Sequence, residues 1–459
     1  MKPTVTRFAP SPSGFLHLGN VRTALFSLLA ALPDGRFLLR IEDTDRARVS
    51  ALFTDALLED LDWLGLGAYV DRSAVWYQSA RAEIYRAHLD ALAQKGFSYP
   101  CFCTPAELAA GREQARARGL PPRYAGRCAR LPKAEGAARL ARGEPAAWRF
   151  RVPRGEMLHF GDRVRGPQAV PTDGLGDFVI TRASGEPMFF FANAIDDALA
   201  GVTLVLRGED HLPNTPRQIL LLKALALPVP EYGHLPLVLN EAGAPLSKRE
   251  GATSVRDLRD QGFLPLAIVN YLARLGATVP CDHVADLEEL ARVFSVDHIG
   301  RAPAHFDHRQ LLHWQKLAFA QLPDETLASW LPGGVPKEQR TAFVRAVRPN
   351  AAFARALQDW VAVVYGEDPV CLDGAAKEAL QAVGRPFLDA ALAALGEGAP
   401  PGELPARLKA AGFAGKRLFH ALRAALTGSL EGPEMRDLLV LMPPAIIRRR
   451  LMDSAGAVC

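Results

Sequence analysis

The sequence predicts an α/β fold: a Rossmann-like parallel sheet, interrupted by an inserted subdomain and followed by a mainly α-helical C-terminal region. Three observations carry this. A strand, a Pro/Gly-rich loop, a helix and a second strand follow one another between Thr4 and Ile41, the size of a βαβ unit. The same alternation resumes at Val202–Leu206 after a segment of different texture. From about Asp307 to the end, Ala, Leu and Arg recur at helical spacing.

Thr4–Phe8 reads as the first strand. Ala9-Pro10-Ser11-Pro12-Ser13-Gly14 is too rich in Pro and Gly for a helix. In the helix that follows, Val21, Ala24, Leu25, Leu28 and Leu29 fall on one face, and Pro33-Asp34-Gly35 ends it. Phe37–Ile41 is dense enough in apolar residues to be buried on both faces. From Tyr99 to about Ala194 helical and strand-like pieces alternate with Pro and Gly breaks, and Leu120–Arg130 is basic. This stretch reads as an insertion between two halves of the sheet. Strand Val202–Leu206, helix Thr215–Leu225 and strand Leu235–Leu239 form the second half. Beyond Ala242 strand signals fade, while Ala352–Val364 and Ala406–Leu426 are helical in pattern. The expected organisation is 1–98 and 195–241 for the two halves, 99–194 for the insertion, 242–306 for a loop-bearing connecting region and 307–459 for a helical domain.

Composition narrows the function. The 459 residues suit two to four domains. With 49% hydrophobic and 23% charged residues the chain is neither disordered, collagen-like nor a disulfide miniprotein. Its 54 basic against 50 acidic residues leave a net +4, which permits a nucleic-acid partner without requiring one. Ala24–Leu32, broken by Ser27, falls far short of the roughly 20 residues that span a bilayer, and Met1–Arg7 holds no signal-peptide core. A cytoplasmic protein with no membrane partner is expected. Six cysteines in so long a chain are no disulfide framework; Cys101, Cys103 and Cys128 cluster as a metal site or as free thiols.

Four strings carry chemistry. Arg7–Gly19 places a tight loop before a helix N-terminus, where backbone N–H groups suit phosphate; His17 can donate to a phosphoryl oxygen as charge develops. An isolated His-x-Gly would be an ordinary turn, but the surrounding string is long and unusual. Arg40-Ile41-Glu42-Asp43-Thr44-Asp45 follows a buried strand at the end where open α/β sheets bind ligands. Glu42 could receive an ammonium, whereas Asp43 and Asp45 suit a functional role and a solvated acidic turn equally, with Thr44 and Asp45 capping the next helix. Arg207, in Leu206–His211, suits a two-pronged grip on a carboxylate, against a surface ion pair with Glu209 or Asp210. Lys248, in Leu246-Ser247-Lys248-Arg249, could close over a triphosphate and neutralise it.

In this order the strings resemble the class I aminoacyl-tRNA synthetases. His17-Leu18-Gly19-Asn20 stands where that class has its HIGH signature, and Pro245–Arg249 where it has KMSKS. Within the class, "RFAPSPSGFLHLGNVRTALF", "RIEDTDR" and "RGEDHLPNTPRQILL" are similar to the bacterial glutamyl-tRNA synthetases. The likeness runs from about Val5 to His308 and more loosely beyond.

The resemblance implies a class I catalytic domain with an inserted acceptor-binding, zinc-binding subdomain and a helical anticodon-binding domain. It implies activation of L-glutamate by ATP with Mg²⁺, tRNA being bound first, and transfer to the 3′ end of tRNA(Glu). His17 and Lys248 would be catalytic. Arg7, Ala9, Ser11, Glu42, Phe189, Asn193 and Arg207 would hold glutamate; His17, Gly19, Asn20, Asp210, Ser247 and Lys248 would hold ATP. The enzyme would be a monomer. Alternatives are a paralogue charging tRNA(Gln) or both tRNAs, a glutamyl-Q-tRNA(Asp) synthetase, and a non-catalytic tRNA-binding paralogue.

Three positions depart from the family pattern. Phe189 stands where the family usually has Tyr, and Pro245 replaces the first basic residue of the KMSKS string. Cys101, Cys103 and Cys128 match the zinc-binding members, but Arg130 stands where the fourth ligand, a His, is expected. The glutamyl-Q enzymes use a Tyr four residues before the last Cys, and Tyr124 holds that place, so Zn²⁺ on three thiolates and a phenolate competes with packed thiols. Arg112–Arg130 and Arg448-Arg449-Arg450 are candidate tRNA phosphate contacts, or solvated helix faces.

Overall fold

A computed structural model describes residues 3–32, 34–44, 50–119, 121–240, 242–244, 246, 254–396 and 400–457. The chain divides into two compact units: Met1–Asp260 with Ile268–His308, and Gln261–Ala267 with Arg309–Cys459.

The first unit begins with strand β1 (Val5–Phe8), helix α1 (Leu18–Ala31), strand β2 (Arg36–Ile41), helix α2 (Ala51–Trp63), strand β3 (Trp76–Tyr77) and helix α3 (Ala82–Gln94). All four residues of β1 and the last five of β2 are buried, as two-sided coverage requires. β1, β2 and β3 lie side by side and parallel. α1 packs the expected Val21, Ala24, Leu25, Leu28 and Leu29 into the core.

The segment that follows carries β4 (Ser98–Cys101), α4 (Pro105–Ala117), α5 (Lys133–Ala141) and β5 (Ala147–Phe150). Next come β6 (Met157–Asp162), β7 (Gly166–Pro171), α6 (Thr172–Leu175) and β8 (Phe178–Thr181). β4, β5 and β8 make an antiparallel sheet of their own. β6 and β7 form a hairpin that joins another sheet, through β10.

Helix α7 (Phe189–Leu199), strand β9 (Leu204–Gly208), helix α8 (Thr215–Leu225), strand β10 (Glu231–Leu235) and strand β11 (Val238–Leu239) return the chain to the main layer. The sequence suggested one strand over Leu235–Leu239. The structure breaks it at Pro236, which has no N–H to give a ladder. β9 and β10 are parallel. The N–H of Thr203 donates to the carbonyl of Val5 at 2.9 Å, setting the start of β9 beside β1. Successive strands step outward from β1 to β2 to β3 on one side and from β9 to β10 on the other. The order therefore reverses between β1 and β9, the switch point where such sheets bind ligands beyond their strand C-termini. Helices α9 (Val255–Asp260) and α11 (Leu287–Val293), helix α10 (Pro265–Arg274) from Ile268 onward, and the short strand β12 (Ala304–His305), parallel to β11, complete this part.

The second unit is helical, with segments that include Arg340–Val347, Ala354–Tyr365, Gly374–Ala394, Gly415–Thr427 and Pro444–Ala457. Phe343, Leu357, Leu380, Phe387, Leu422, Leu438 and Leu451 share its core. The Gly374–Ala394 segment is kinked at Gly384, whose φ of 65° favours glycine, just before Pro386. Among the described residues no helix is long and apolar enough to cross a membrane.

Candidate active site

Beyond the C-terminal ends of β1, β2 and β9 lies a cleft of about 590 Å³. Every described residue expected to bind glutamate or ATP lines it: Arg7, Ala9, Ser11, His17, Gly19, Asn20, Glu42, Phe189, Asn193, Arg207 and Asp210. Ser247 and Lys248, like Pro245 and Asp45, lie outside the described residues; Leu246 reaches the cleft.

His17 is the N-cap of α1, and its Nδ1 accepts from the N–H of Asn20 at 3.3 Å. In the neutral ring the proton therefore sits on Nε2. The ring folds over Gly19, where a Cβ would stand 3.1 Å from both Cε1 and Nδ1 of His17. At the end of β2, the N–H of Glu42 donates to the carbonyl of Pro10 at 3.0 Å, fastening the loop after β1.

Beneath the cleft runs a buried chain of charge-assisted bonds. Nε of Arg7 donates to Asp197 at 3.1 Å. Asp197 also accepts from Arg40 at 2.5 Å, and Arg40 donates to Oε1 of Glu42 at 3.0 Å. The same Glu42 oxygen accepts from Nδ2 of Asn193 at 2.6 Å. Gln218 links Asn193 (3.1 Å) to Arg207 (2.7 Å), and Thr215 accepts from Arg207 at 2.8 Å. Nε of Arg207 donates to Nε2 of His234 at 3.1 Å, and Nδ1 of His234 meets Asp162 at 2.5 Å. A second buried carboxylate, Asp196, accepts from Gln78, Arg81 and Tyr85 at 2.7–2.8 Å.

The electrostatics follow from this chain. Burial works against the Asp197 carboxylate, but Arg40 and Arg7 outweigh it and hold its pKa below the usual range. Burial wins at Glu42 and raises its pKa despite Arg40. Burial also pushes Arg207 down to about 10, leaving it cationic at neutral pH. Its Nη1 is buried without a hydrogen-bond partner, and among the described residues no carboxylate pairs with it. Arg207 thus does not form the surface ion pair with Glu209 or Asp210: Glu209 pairs with Arg165, and Asp210 contacts His211 at 3.6 Å. Phe189 stacks on His211 with centroids 5.2 Å apart.

The sequence did not single out Asp162, Asp196, Asp197, Thr215, Gln218 or His234. The one available signal was the Asp196-Asp197 pair inside the FFFANAIDDAL helix, apolar elsewhere except at Asn193. Two suggested roles are structural instead. Asp43 caps the turn at Ser79, accepting from its N–H at 2.7 Å. Arg450 is buried and donates to the carbonyls of Leu426, Ala362 and Gly366, closing two helix ends, so it offers nothing to a phosphate.

Cys101, Cys103 and Cys128 come together with Tyr124. Sγ of Cys103 lies 3.6 Å from Sγ of Cys128, and the Tyr124 hydroxyl lies 3.6 and 3.7 Å from Cys101 and Cys103. Sulfurs on one tetrahedral zinc, each about 2.3 Å from it, stand about 3.8 Å apart, so the donor set fits that ion. The N–H of Cys128 donates to the Tyr124 oxygen at 2.8 Å, and the Arg149 guanidinium sits 3.8 Å over the ring. Burial and the three neighbouring thiols push the Tyr124 pKa up, against the pull of the Cys128 N–H, so the hydroxyl keeps its proton unless a bound cation displaces it.

Residues 3–313 match the family model described as tRNA synthetases class I (E and Q), catalytic domain. The chain is 49% identical to glutamate–tRNA ligase 2 of Nitrosococcus oceani, covering 98% of this chain and 97% of that one. It is 46% identical to glutamate–tRNA ligase 1 of Methylococcus capsulatus over 99% of each. A crystal structure of a glutamate tRNA ligase from Elizabethkingia meningosepticum, in complex with its amino acid, superposes with a TM-score of 0.89 at 26% identity over the full length of both.

Proposed function

The chain belongs to the glutamate- and glutamine-type class I tRNA synthetases, and from that membership we infer that it is a glutamate–tRNA ligase. It activates L-glutamate with ATP and transfers it to tRNA. The observation that carries the choice of amino acid is Arg207: a buried cation with an unpartnered Nη1 in a cleft that also holds Arg7 and Glu42. Glutamate brings two carboxylates and one ammonium, the complement of two Arg and one Glu. Glutamine would leave Arg207 unmatched, and a site built to pair a charge rejects an analogue without it.

In the first step a glutamate carboxylate oxygen attacks the α-phosphorus of ATP. A new O–P bond forms as the bond to pyrophosphate breaks. Such a reaction needs positioning and charge stabilisation more than covalent help. His17, with its proton on Nε2, donates to the phosphoryl oxygens. Gly19 and Asn20 at the helix N-terminus and Asp210 bind the nucleotide. Ser247 and Lys248 contact the triphosphate, and Mg²⁺ accompanies it. In the second step a hydroxyl of the terminal tRNA ribose attacks the activated carbonyl and AMP leaves. Arg7, Ala9, Ser11, Glu42, Phe189, Asn193 and Arg207 hold glutamate throughout. Cys101, Cys103, Tyr124 and Cys128 hold a structural Zn²⁺.

The partner is tRNA(Glu), charged in the cytoplasm by a monomer. A tRNA-modifying enzyme confined to the catalytic half is disfavoured by the helical unit at Arg309–Cys459. Pyrophosphate exchange with glutamate, ATP and tRNA tests the reaction; no exchange with any tRNA would overturn it. Charging purified glutamate and glutamine tRNAs side by side tests the partner. Lys248→Ala should lower the activation rate far more than glutamate affinity, and equal losses in both would contradict its role.

A further inference from the structure

Cys281, His283 and Glu289 form a second cluster of metal-ligating groups, all in the first unit and separate from the cleft and from the three-cysteine group. Sγ of Cys281 lies 3.5 Å from Nδ1 and 3.6 Å from Nε2 of His283. Two donors on one tetrahedral ion, sulfur at about 2.3 Å and nitrogen at about 2.0–2.1 Å, are about 3.6 Å apart. The sulfur is nearly equidistant from the two nitrogens, so it faces the ring. An ion shared by the two requires the exposed His283 ring to turn Nδ1 toward the sulfur, the partly exposed Glu289 carboxylate following Nε2. Nε2 is engaged by Oε1 of Glu289 at 2.6 Å. That is too close for two donors sharing an ion, but it is the hydrogen bond by which a carboxylate fixes a ligating imidazole. The exposed Asp282 carboxylate stands 3.8 Å from Nδ1.

The loop that presents these groups is braced from below. Arg274 donates to the carbonyls of Cys281 (2.7 Å) and His283 (3.2 Å). The buried Asn270 exchanges two bonds with Ala285, at 2.8 and 3.0 Å. Glu289 is fixed in the first turn of α11, whose N-cap Asp286 accepts from its N–H at 2.8 Å. The backbone is therefore set while the thiol, imidazole and carboxylates project outward, and the core gains little from them.

We propose that Cys281 and His283, oriented by Glu289 and assisted by Asp282, are a second metal site for a borderline-soft divalent ion of the zinc class. A thiolate with an imidazole selects such an ion over Mg²⁺ or Ca²⁺. Binding releases the thiol proton to solvent. With few protein donors the ion keeps open positions for water.

The test is Co²⁺ titration of the reduced, chelator-stripped full chain, read by thiolate-to-cobalt absorption. Wild type should take up one more equivalent than Cys281→Ser or His283→Ala, while glutamate charging and melting temperature stay unchanged in both variants. Glu289→Gln should weaken that equivalent by about ten- to a hundredfold. Cys103→Ser, which addresses only the other cluster, should retain it, so failure of that zinc reading is distinguishable. Equal uptake and affinity in wild type, Cys281→Ser and His283→Ala would overturn the proposal.

Discussion

Arg207 and His234 are joined by a bond in which the cation's Nε–H donates to Nε2 of the imidazole at 3.1 Å. The ring can accept only if it is neutral with its proton on Nδ1, where the Asp162 carboxylate receives it. Burial and the neighbouring Arg207 keep the His234 pKa below its ordinary value, against the pull of Asp162. Asp162 thereby sets the tautomer, His234 sets the angle of Arg207, and Arg207 lines the cleft. His234→Ala removes the acceptor and leaves a buried Nε–H unpaired, at a cost of about 1–3 kcal/mol. Steady-state pyrophosphate exchange should show the glutamate KM rising by about tenfold to a hundredfold, with a smaller fall in kcat. A fall in kcat at unchanged KM would mean that His234 acts elsewhere.

Asp60 offers a pH prediction of known sign. It is buried on α2, both carboxylate oxygens lack hydrogen-bond partners, and Arg256 approaches only to 3.7 Å. Burial, opposed by Arg256, pushes its pKa up from 3.8 to about 6. The folded chain therefore binds this proton more tightly than the unfolded chain. The group destabilises the fold fully above pH about 6, and the penalty disappears as pH falls toward 3.8. Asp60→Asn should be more stable than wild type at pH 7 by up to about 3 kcal/mol, the free energy of roughly two pKa units. Denaturant unfolding at pH 4 and pH 7 checks this: a difference that does not shrink at pH 4 would refute it.

How far the sequence reveals the fold and the cleft depends on how local each signal is. The β1–α1–β2 unit is legible because its signals are local: Val21 to Leu29 repeat on one face, and Phe37–Ile41 forms a continuous apolar run. The cleft is legible because Arg7, Glu42 and Arg207 each lie within one residue of a strand's C-terminal end, and parallel strands deliver those ends to one place. What joins them is not local. Arg7 and Asp197 are 190 positions apart, and Arg40 and Asp197 are 157 apart, so no periodicity relates them. The run Arg448-Arg449-Arg450 misleads for the opposite reason: three like residues look equivalent, yet on a helix Arg450 turns to the buried face and only the first two are exposed.

Tyr124 should behave as a ligand in metal binding. Tyr124→Phe keeps the ring under Arg149 but removes the oxygen that the Cys128 N–H holds. Zinc should then bind about ten- to a hundredfold more weakly, the scale seen when groups around a site are lost. The readout is competition with a chromophoric chelator on reduced protein. Unchanged affinity would assign the fourth position to another group.

Gly19→Ala separates folding from chemistry. Gly19 lies in the first turn of α1, so a methyl group there costs the backbone nothing, and helix propensity favours Ala by up to about 1 kcal/mol. The added Cβ would stand 3.1 Å from Cε1 and Nδ1 of His17, so the ring must shift by a few tenths of an ångström or more. That shift breaks the alignment of Nδ1 with the Asn20 N–H and moves Nε2 away from its place in the cleft. A misplaced donor loses transition-state stabilisation without weakening ground-state binding. The melting temperature should hold or rise while pyrophosphate exchange slows by about tenfold or more, at nearly constant glutamate KM. Wild-type exchange in a stable Gly19→Ala protein would show that the closeness of His17 to Gly19 has no part in catalysis.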